Sequence, residues 1–273
     1  MKPIQNMSKA GDWLKDKEIA TWRTAVSALR MEYTGEELSE EKIGEDPFAA
    51  FEHWFAEAVK HAKYDPNAMV LSTVRDGQPS GRVVLLKGFD ERGFVFYTNY
   101  GSDKGQALAE TPAAALTFHW AELFRQVRIE GKVVKLSDEE SSAYFHSRPR
   151  ESRLSAMVSP QSQRIASRQE LLDRMEALKK RYDGVEDLQK PDDWGGFRVV
   201  PARIEFWQGR TNRLHDRIVF ERESRAGSDD GSRAGSDDGS RAGSDDGSRA
   251  GSDDGRTESS SPQNQWERYR LAP

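Results

Sequence analysis

Three stretches of this 273-residue sequence gather side chains able to bind anions or move protons. The first, Arg82-Val83-Val84-Leu85-Leu86-Lys87, reads as a buried strand with a cation near each end. A two-residue period sends Arg82 and Lys87 to opposite faces unless the strand bulges. The second runs from Tyr97 and Thr98 through Asn99-Tyr100-Gly101-Ser102-Asp103-Lys104-Gly105, where a strand yields to a Gly/Ser turn and a helix. Such a turn offers backbone N–H groups, hydroxyls and a lysine to a phosphate. The third, Trp207 to Arg217, packs Arg210, Arg213, Arg217, His215, Asn212, Gln208 and Trp207 into one loop between apolar strands. Arginine forks suit phosphate or carboxylate, and histidine holds or relays a proton near neutral pH. Each stretch has a plainer alternative. They are a solvated Arg and Lys flanking a core strand, ordinary turn composition, and an interface ion-pair network.

The elements that must position these residues follow from periodicity. Ile19, Trp22, Val26 and Leu29 predict a helix from Lys17 to Tyr33, and the acidic run Glu36 to Glu45 reads as a solvated connector. Asp46 and Pro47 are a cap and a first helical residue, with Phe48, Phe51, Phe55 and Val59 expected on one face. Then the period changes to two. Ala68–Arg75 and Ser80–Lys87 flank the hairpin signal Asp76-Gly77-Gln78-Pro79, and Phe94–Asn99, Ala113–Trp120 and Phe124–Leu136 follow, the last broken at Gly131. Ser137-Asp138-Glu139-Glu140 and Ser167-Arg168-Gln169-Glu170 have capping-box spacing; Leu171, Leu172, Met175 and Leu178 are expected on one face of the second helix. Strand character returns at Ala202–Trp207, Arg217–Phe220 and Gln265–Leu271. Successive short strands with tight turns predict a mainly β protein with flanking helices, an antiparallel barrel or sandwich of Greek-key type.

Composition removes other classes. From Arg225 to Gly255 the unit Arg-Ala-Gly-Ser-Asp-Asp-Gly-Ser repeats almost four times, supplying 8 of the 22 glycines, 4 Arg and 8 Asp. Taking it away from 41 basic and 46 acidic residues leaves a nearly neutral body that holds every Trp, Tyr and Phe. The low mean hydropathy of −0.83 is thus partly local. The tract offers no apolar surface to offset ordering entropy and is expected to be a disordered loop between the last two strands. No cysteine is present, which excludes disulfides, thiolate metal sites and Cys nucleophiles. No metal site is expected: His53 and His61 lie eight apart, and His119 and His146 read as structural. No Gly-x-Gly-x-x-Gly, Walker loop or Gly-x-Ser-x-Gly elbow appears. Near-neutral charge without a basic block argues against nucleic acid. No run is long enough to span a membrane, and Met1 to Ser8 lacks a secretory stretch, so a cytoplasmic protein is expected.

Taken in order, the clusters resemble the pyridoxamine 5′-phosphate oxidase family. The resemblance covers roughly Leu29 to Pro273 outside the repeat. It rests on Arg82-Val-Val-Leu-Leu-Lys-Gly, Tyr97-Thr-Asn, Arg125-Gln-Val-Arg-Ile-Glu-Gly, Tyr144-Phe-His-Ser-Arg-Pro, Ser159-Pro-Gln-Ser, Trp194-Gly-Gly, Glu205-Phe-Trp-Gln-Gly, Asn212-Arg-Leu-His-Asp-Arg and Trp266-Glu-Arg-Tyr-Arg-Leu-Ala-Pro. It implies an FMN-binding split β-barrel, formed by residues 46–273, working as a homodimer with flavin sites at the interface. Residues 1–45 would be a helix and connector, in part a mobile lid.

By the same resemblance, FMN contacts fall on Arg82, Val83, Leu85, Lys87, Tyr97, Thr98, Lys104, Gln126, Trp207 and Arg217, with Gln161 and Ser162 from the partner subunit. The substrate would meet Lys87, Tyr144, Arg148, Ser152, Arg213 and His215, the last two as catalytic residues. Tyr33 is carried over as a lid residue that covers it. The implied reaction converts pyridoxamine or pyridoxine 5′-phosphate to pyridoxal 5′-phosphate. Dioxygen becomes hydrogen peroxide, and the amine releases ammonia. A different split-barrel flavin oxidoreductase and a non-catalytic pyridoxal 5′-phosphate binder are the alternatives. Asp103 stands where the family usually has a cation and is expected to weaken FMN binding.

Overall fold

A computed structural model describes residues 32–222 and 265–273. The helix expected from Lys17 and the repeat from Arg225 to Gly255 otherwise lie outside these residues. Only Glu32 and Tyr33 of that helix are described, and they are not helical. Nine strands form one antiparallel sheet: β1 (Ala68–Arg75), β2 (Gln78–Leu85), β3 (Gly88–Asp90), β4 (Gly93–Asn99), β5 (Ala113–Trp120), β6 (Arg125–Lys135), β7 (Trp194–Gln208), β8 (Asp216–Arg222) and β9 (Trp266–Arg270). Its main path is β2-β1-β5-β6-β7-β4-β3, with β8 on β7 and β9 on β8. Among the described residues the sheet does not close, which is compatible with a split barrel. β7 is the branch point. Its first half pairs with β4, its second half with β8, and β6 runs along its other side. At Glu130/Gly131 the β6 register shifts, where the sequence suggests a break; a Cβ on Gly131 would lie 2.0 Å from Val200 O.

Six helices among the described residues flank the sheet: α1 (Glu40–Ile43), α2 (Pro47–His61), α3 (Asp103–Glu110), α4 (Asp138–Ser147), α5 (Arg150–Val158) and α6 (Arg168–Arg181). The α2 start is as the sequence reads it. Asp46 accepts from Phe48 N at 2.9 Å and Pro47 opens the first turn. Its buried stripe differs at the far end. Phe51, Trp54 and Ala58 face the sheet, whereas Val59 is 57% exposed, because the 3.6-residue period carries position 58 inward. Phe51 is the hub of the main core, edge-on to Phe89, Phe94 and Phe118 at 4.9–5.2 Å.

The acidic connector is not simply solvated: Leu38 and Ile43 are buried, and Arg270 pairs with Glu40 at 2.8 Å. The strand around Arg82 is likewise not buried. β2 is a sheet edge ending at Leu85, with Val83 65% and Leu85 37% exposed, because among the described residues it pairs with β1 alone.

Ser137 and Glu140 form the expected reciprocal cap of α4. At α6, Ser167 caps Glu170 N, but the Glu170 carboxylate turns back to Ala166 N. Leu172 there is 49% exposed, while Met175 and Leu178 pack on a second core of Phe145, Leu154, Leu188 and Trp194.

Candidate active site

The expected site residues separate into two groups, at opposite ends of β7. The first is built where β4 runs into α3. Ser102 is fully buried and caps α3, accepting from Gly105 N at 3.3 Å. A Cβ on Gly105 would lie 2.3 Å from Tyr100 O, so glycine lets this turn close tightly. Lys104 Nζ then reaches Ser102 Oγ at 3.3 Å, Thr98 Oγ1 at 3.2 Å and Gln161 Oε1 at 2.8 Å. Thr98 donates to the same Gln161 oxygen at 2.9 Å. Gln161 therefore stands in its own chain's cluster, where the resemblance implies a partner's residue; Ser162 follows it in a left-handed turn, φ 69°.

Arg82 is anchored on β1, donating to Leu71 O at 3.1 Å and Thr73 Oγ1 at 2.8 Å, and to Ser80 Oγ at 3.0 Å. Burial lowers the Lys104 pKa, and the neighbouring Arg82 charge lowers it further while Asp103 opposes. Burial also lowers that of Arg82, again against Asp103. Two cations, two hydroxyls and the first turn of an α-helix thus converge with a single acid beside them, a donor set that fits a phosphate.

The residue before Thr98 on β4, Tyr97, belongs to an aromatic stack. The Tyr97 ring lies 3.9 Å from Tyr144 and 5.4 Å from Trp194, all nearly parallel. Arg148 sits 5.0 Å over Trp194, and its Nη1 is buried with no hydrogen-bond partner among the described residues. Burial lowers the Arg148 pKa, partly offset by Tyr144, and raises that of Tyr144. Ser152 lies one turn on, in α5, its N–H bonded to Pro149 O at 2.9 Å. A buried, unsatisfied guanidinium nitrogen is costly and invites an anion. Lys87 lies past the end of β2 with an exposed side chain, its N–H held by Val95 O at 2.8 Å.

The second group is a row across three strands. Gln126 on β6 is opposite Trp207 on β7, and Trp207 is opposite Arg217 on β8. Arg217 Nε donates to Glu205 at 2.8 Å. The His215 ring lies 4.7 Å from Trp207, and Tyr33 meets Trp207, His215 and Phe124 edge-on at 5.4–5.7 Å. Gly209 permits this, since a Cβ there would lie 2.8 Å from the Tyr33 ring. Arg210 straps the segment down, donating to Gly35 O at 3.0 Å. Tyr33 thus packs on the loop that carries Trp207 and His215.

The Arg210 N–H donates to His215 Nδ1 at 3.1 Å, which puts the proton of the neutral ring on Nε2. Burial and the Arg213 charge lower the His215 pKa against the pull of Asp216. Asn212 and Arg213 both adopt positive φ, 54° and 62°, a strained pair that presents Arg213 to solvent.

Sequence reasoning did not single out Trp194, Glu205 or Asp216, which the structure places in contact with the candidate residues. The Trp194-Gly195-Gly196 motif was the available signal for the first: Cβ atoms on the two glycines would lie 2.1 Å from the Tyr100 hydroxyl and 2.5 Å from Leu136.

Residues 55–182 match the family model described as pyridoxamine 5′-phosphate oxidase, and residues 194–236 that of the pyridoxine 5′-phosphate oxidase C-terminal dimerisation region. Pyridoxine/pyridoxamine 5′-phosphate oxidases of Gloeothece citriformis and Trichormus variabilis are 57% and 55% identical to the chain. These matches cover 72% and 71% of it, and 92% and 91% of those proteins. That of Burkholderia ambifaria is 51% identical over 76% of this chain and 96% of its own. Among solved structures, PhzG from Burkholderia lata, in complex with tetrahydrophenazine-1-carboxylic acid, superposes with a TM-score of 0.68. It is 25% identical, over 88% of this chain and 99% of that one. A pyridoxamine 5′-phosphate oxidase-related FMN-binding protein from Nostoc punctiforme shares the fold at a TM-score of 0.56 and 14% identity, over 85% of this chain and 100% of its own. The chain belongs to the pyridoxine/pyridoxamine 5′-phosphate oxidase family.

Proposed function

We propose that this chain is an FMN-dependent oxidase that converts pyridoxamine 5′-phosphate or pyridoxine 5′-phosphate to pyridoxal 5′-phosphate. Dioxygen is reduced to hydrogen peroxide, and ammonia leaves from the amine. The observation that carries this reading is the buried, partnerless Arg148 Nη1 beside the Tyr97–Tyr144–Trp194 stack, a seat for a phosphorylated aromatic ring a few residues from a second phosphate cradle.

FMN fits the residues present. Arg82, Thr98, Lys104 and Gln161 would hold its phosphate, Val83 and Leu85 the exposed β2 edge against the ring system, and Gln126, Trp207 and Arg217 its far side. When bound, FMN accepts the hydride from the substrate carbon and passes electrons to dioxygen. The chain's own contribution is placement and charge. Arg148, Tyr144, Ser152 and Lys87 take the substrate phosphate; Arg213 and His215 orient the reacting end and hold a proton at Nε2; Tyr33 excludes water.

The cradle at Thr98–Lys104 and the row at Gln126–Trp207–Arg217 mark opposite ends of the 15-residue β7: Thr98 pairs with Gly195, and Gln126 and Arg217 flank Trp207. With a C-terminal dimerisation region in the chain, the two groups serve one flavin when they come from different subunits. We therefore assign FMN to a homodimer interface, residues 46–273 to one domain with the preceding segment as cover, and the protein to the cytoplasm. The test is peroxide release when pyridoxamine 5′-phosphate is added under air. A flavin-loaded dimer that releases none overturns the assignment.

A further inference from the structure

Glu205 is 1% exposed and lies on the same face of β7 as Trp207, two residues along. Three guanidinium groups converge on it. Arg217 Nε donates to Oε1 at 2.8 Å, Arg203 Nη2 to Oε2 at 2.9 Å, and Arg128 Nη1 approaches Oε2 at 3.5 Å. Burial raises the carboxyl pKa, but the bonds from Arg217 and Arg203 outweigh it and hold Glu205 below the usual carboxylate value.

The three arginines are not equally dependent on Glu205. Arg128 and Arg203 also reach Glu130, at 2.7 and 3.4 Å. Arg217 pairs with no second carboxylate among the described residues; its other bond runs from Nη1 to Ala272 O at 3.1 Å. Glu205 and the Ala272 carbonyl thus occupy Nε and Nη1, which fixes the guanidinium of a residue paired with Trp207 across β7 and β8 and leaves Nη2 to point elsewhere. Neutralising Glu205 leaves three cations around a polar amide. Two of them retain Glu130. Only Arg217 loses its sole anionic anchor.

We propose that Glu205 is a positioning residue for the flavin: it fixes the Arg217 guanidinium in the Gln126–Trp207–Arg217 row and so sets the affinity for FMN through Arg217. This rests on the reading of Arg217 as an FMN contact. The same arrangement makes the Leu271–Ala272 segment part of the site, since Leu271 N also bonds to Arg217 O at 3.0 Å.

The test is a double-mutant cycle. FMN is titrated into the flavin-free dimers of the parent, Arg217→Ala, Glu205→Gln and the double variant, with binding read from flavin fluorescence and dimerisation from sedimentation. Arg217→Ala and Glu205→Gln are each expected to weaken FMN binding about tenfold or more, and the double variant to be no weaker than Arg217→Ala alone. An unchanged dissociation constant for Glu205→Gln, or effects that multiply in the double variant, overturns the positioning role while leaving Arg217 in the site. An unchanged constant for Arg217→Ala overturns the underlying reading and the inference with it. If Glu205→Gln does not yield a folded dimer, Glu205→Asp, which keeps the charge and retracts it, takes its place in the cycle with the same two outcomes.

Discussion

Lys104 Nζ lies 2.8 Å from Gln161 Oε1, joining the first turn of α3 to the turn after α5 across 57 positions of sequence. The amide oxygen also accepts from Thr98, so Gln161 ties together two of the donors proposed for the phosphate. A dianion received beside them gains charge-assisted hydrogen bonds, about twice as strong as neutral ones. On that reading the donors are already gathered in the flavin-free chain.

Lys104→Ala should weaken FMN binding by roughly ten- to a hundredfold, matching the loss of about 1.5–3 kcal/mol for a hydrogen bond to a charged group. Riboflavin, which lacks the phosphate, should bind both proteins alike. Fluorescence titration of the two flavins separates these outcomes; equal losses for both would remove Lys104 from the phosphate.

Asp103 acts in the opposite sense. It sits beside Arg82 and Lys104 and favours their charged forms, which stabilises the flavin-free cradle and competes with an incoming phosphate. Asp103→Asn should tighten FMN by up to about fivefold, with the gain shrinking as salt is raised. A constant unchanged at low salt would place the carboxylate away from the phosphate.

For Arg148, affinity and stability should move in different directions. Arg148→Gln removes a buried nitrogen that has no partner among the described residues, so thermal stability should hold or rise. The KM for pyridoxamine 5′-phosphate should climb by roughly a hundredfold, the scale of one bidentate charge contact. A stability loss with KM intact would make the residue purely structural.

His215 gives the pH dependence a sign. Burial and the Arg213 charge lower its pKa, which favours the neutral ring and moves its protonation to more acidic solution than for a free imidazole. Activity should fall along that acid limb, because the added proton goes to Nδ1 and removes the acceptor by which the Arg210 N–H orients the ring, and stability contributed by the neutral ring is lost over the same range. In His215→Gln the limb should vanish from the kcat profile. Its persistence would assign the limb elsewhere.

Gly105→Ala tests the turn that aims Lys104. The added Cβ would lie 2.3 Å from the Tyr100 carbonyl, a backbone atom that cannot swing aside. Overpacking of this kind costs about 1–3 kcal/mol, measurable as a lower unfolding midpoint, with weaker FMN binding as α3 is displaced.

Much of the sheet was legible because its signals are local. β1 and β5 have the ends read from the apolar runs, and the Asp76-Gly77 turn makes the β1–β2 hairpin. What escaped depends on partners distant in sequence. The first half of β7 carries two glycines and lies next to Pro201, which disguise a strand; it exists because β4 and β6 pair along both its sides. Helix α5 follows Pro149 with no side-chain cap and is held by Leu154 in the second core. Tyr33 reads as the end of a helix, yet its ring rests on Gly209, a contact 176 residues away that no local pattern encodes. The site was legible as residue types. The convergence of Lys104 with Gln161, the stacking on Trp194 and the dependence of Arg217 on Glu205 came only with the fold.

The position of β7 also bears on how the chain emerges from a ribosome. Every route through the sheet from β6 to β4 passes through β7, which begins only at Trp194. Until synthesis has moved well past residue 208, the β3–β4 hairpin has no strand to join, and the outer edge of β6 stays unpaired. About seven-tenths of the polypeptide must therefore wait in a partly assembled form, with this long-range pairing postponed, the regime in which nascent chains fold slowly and lean on chaperones.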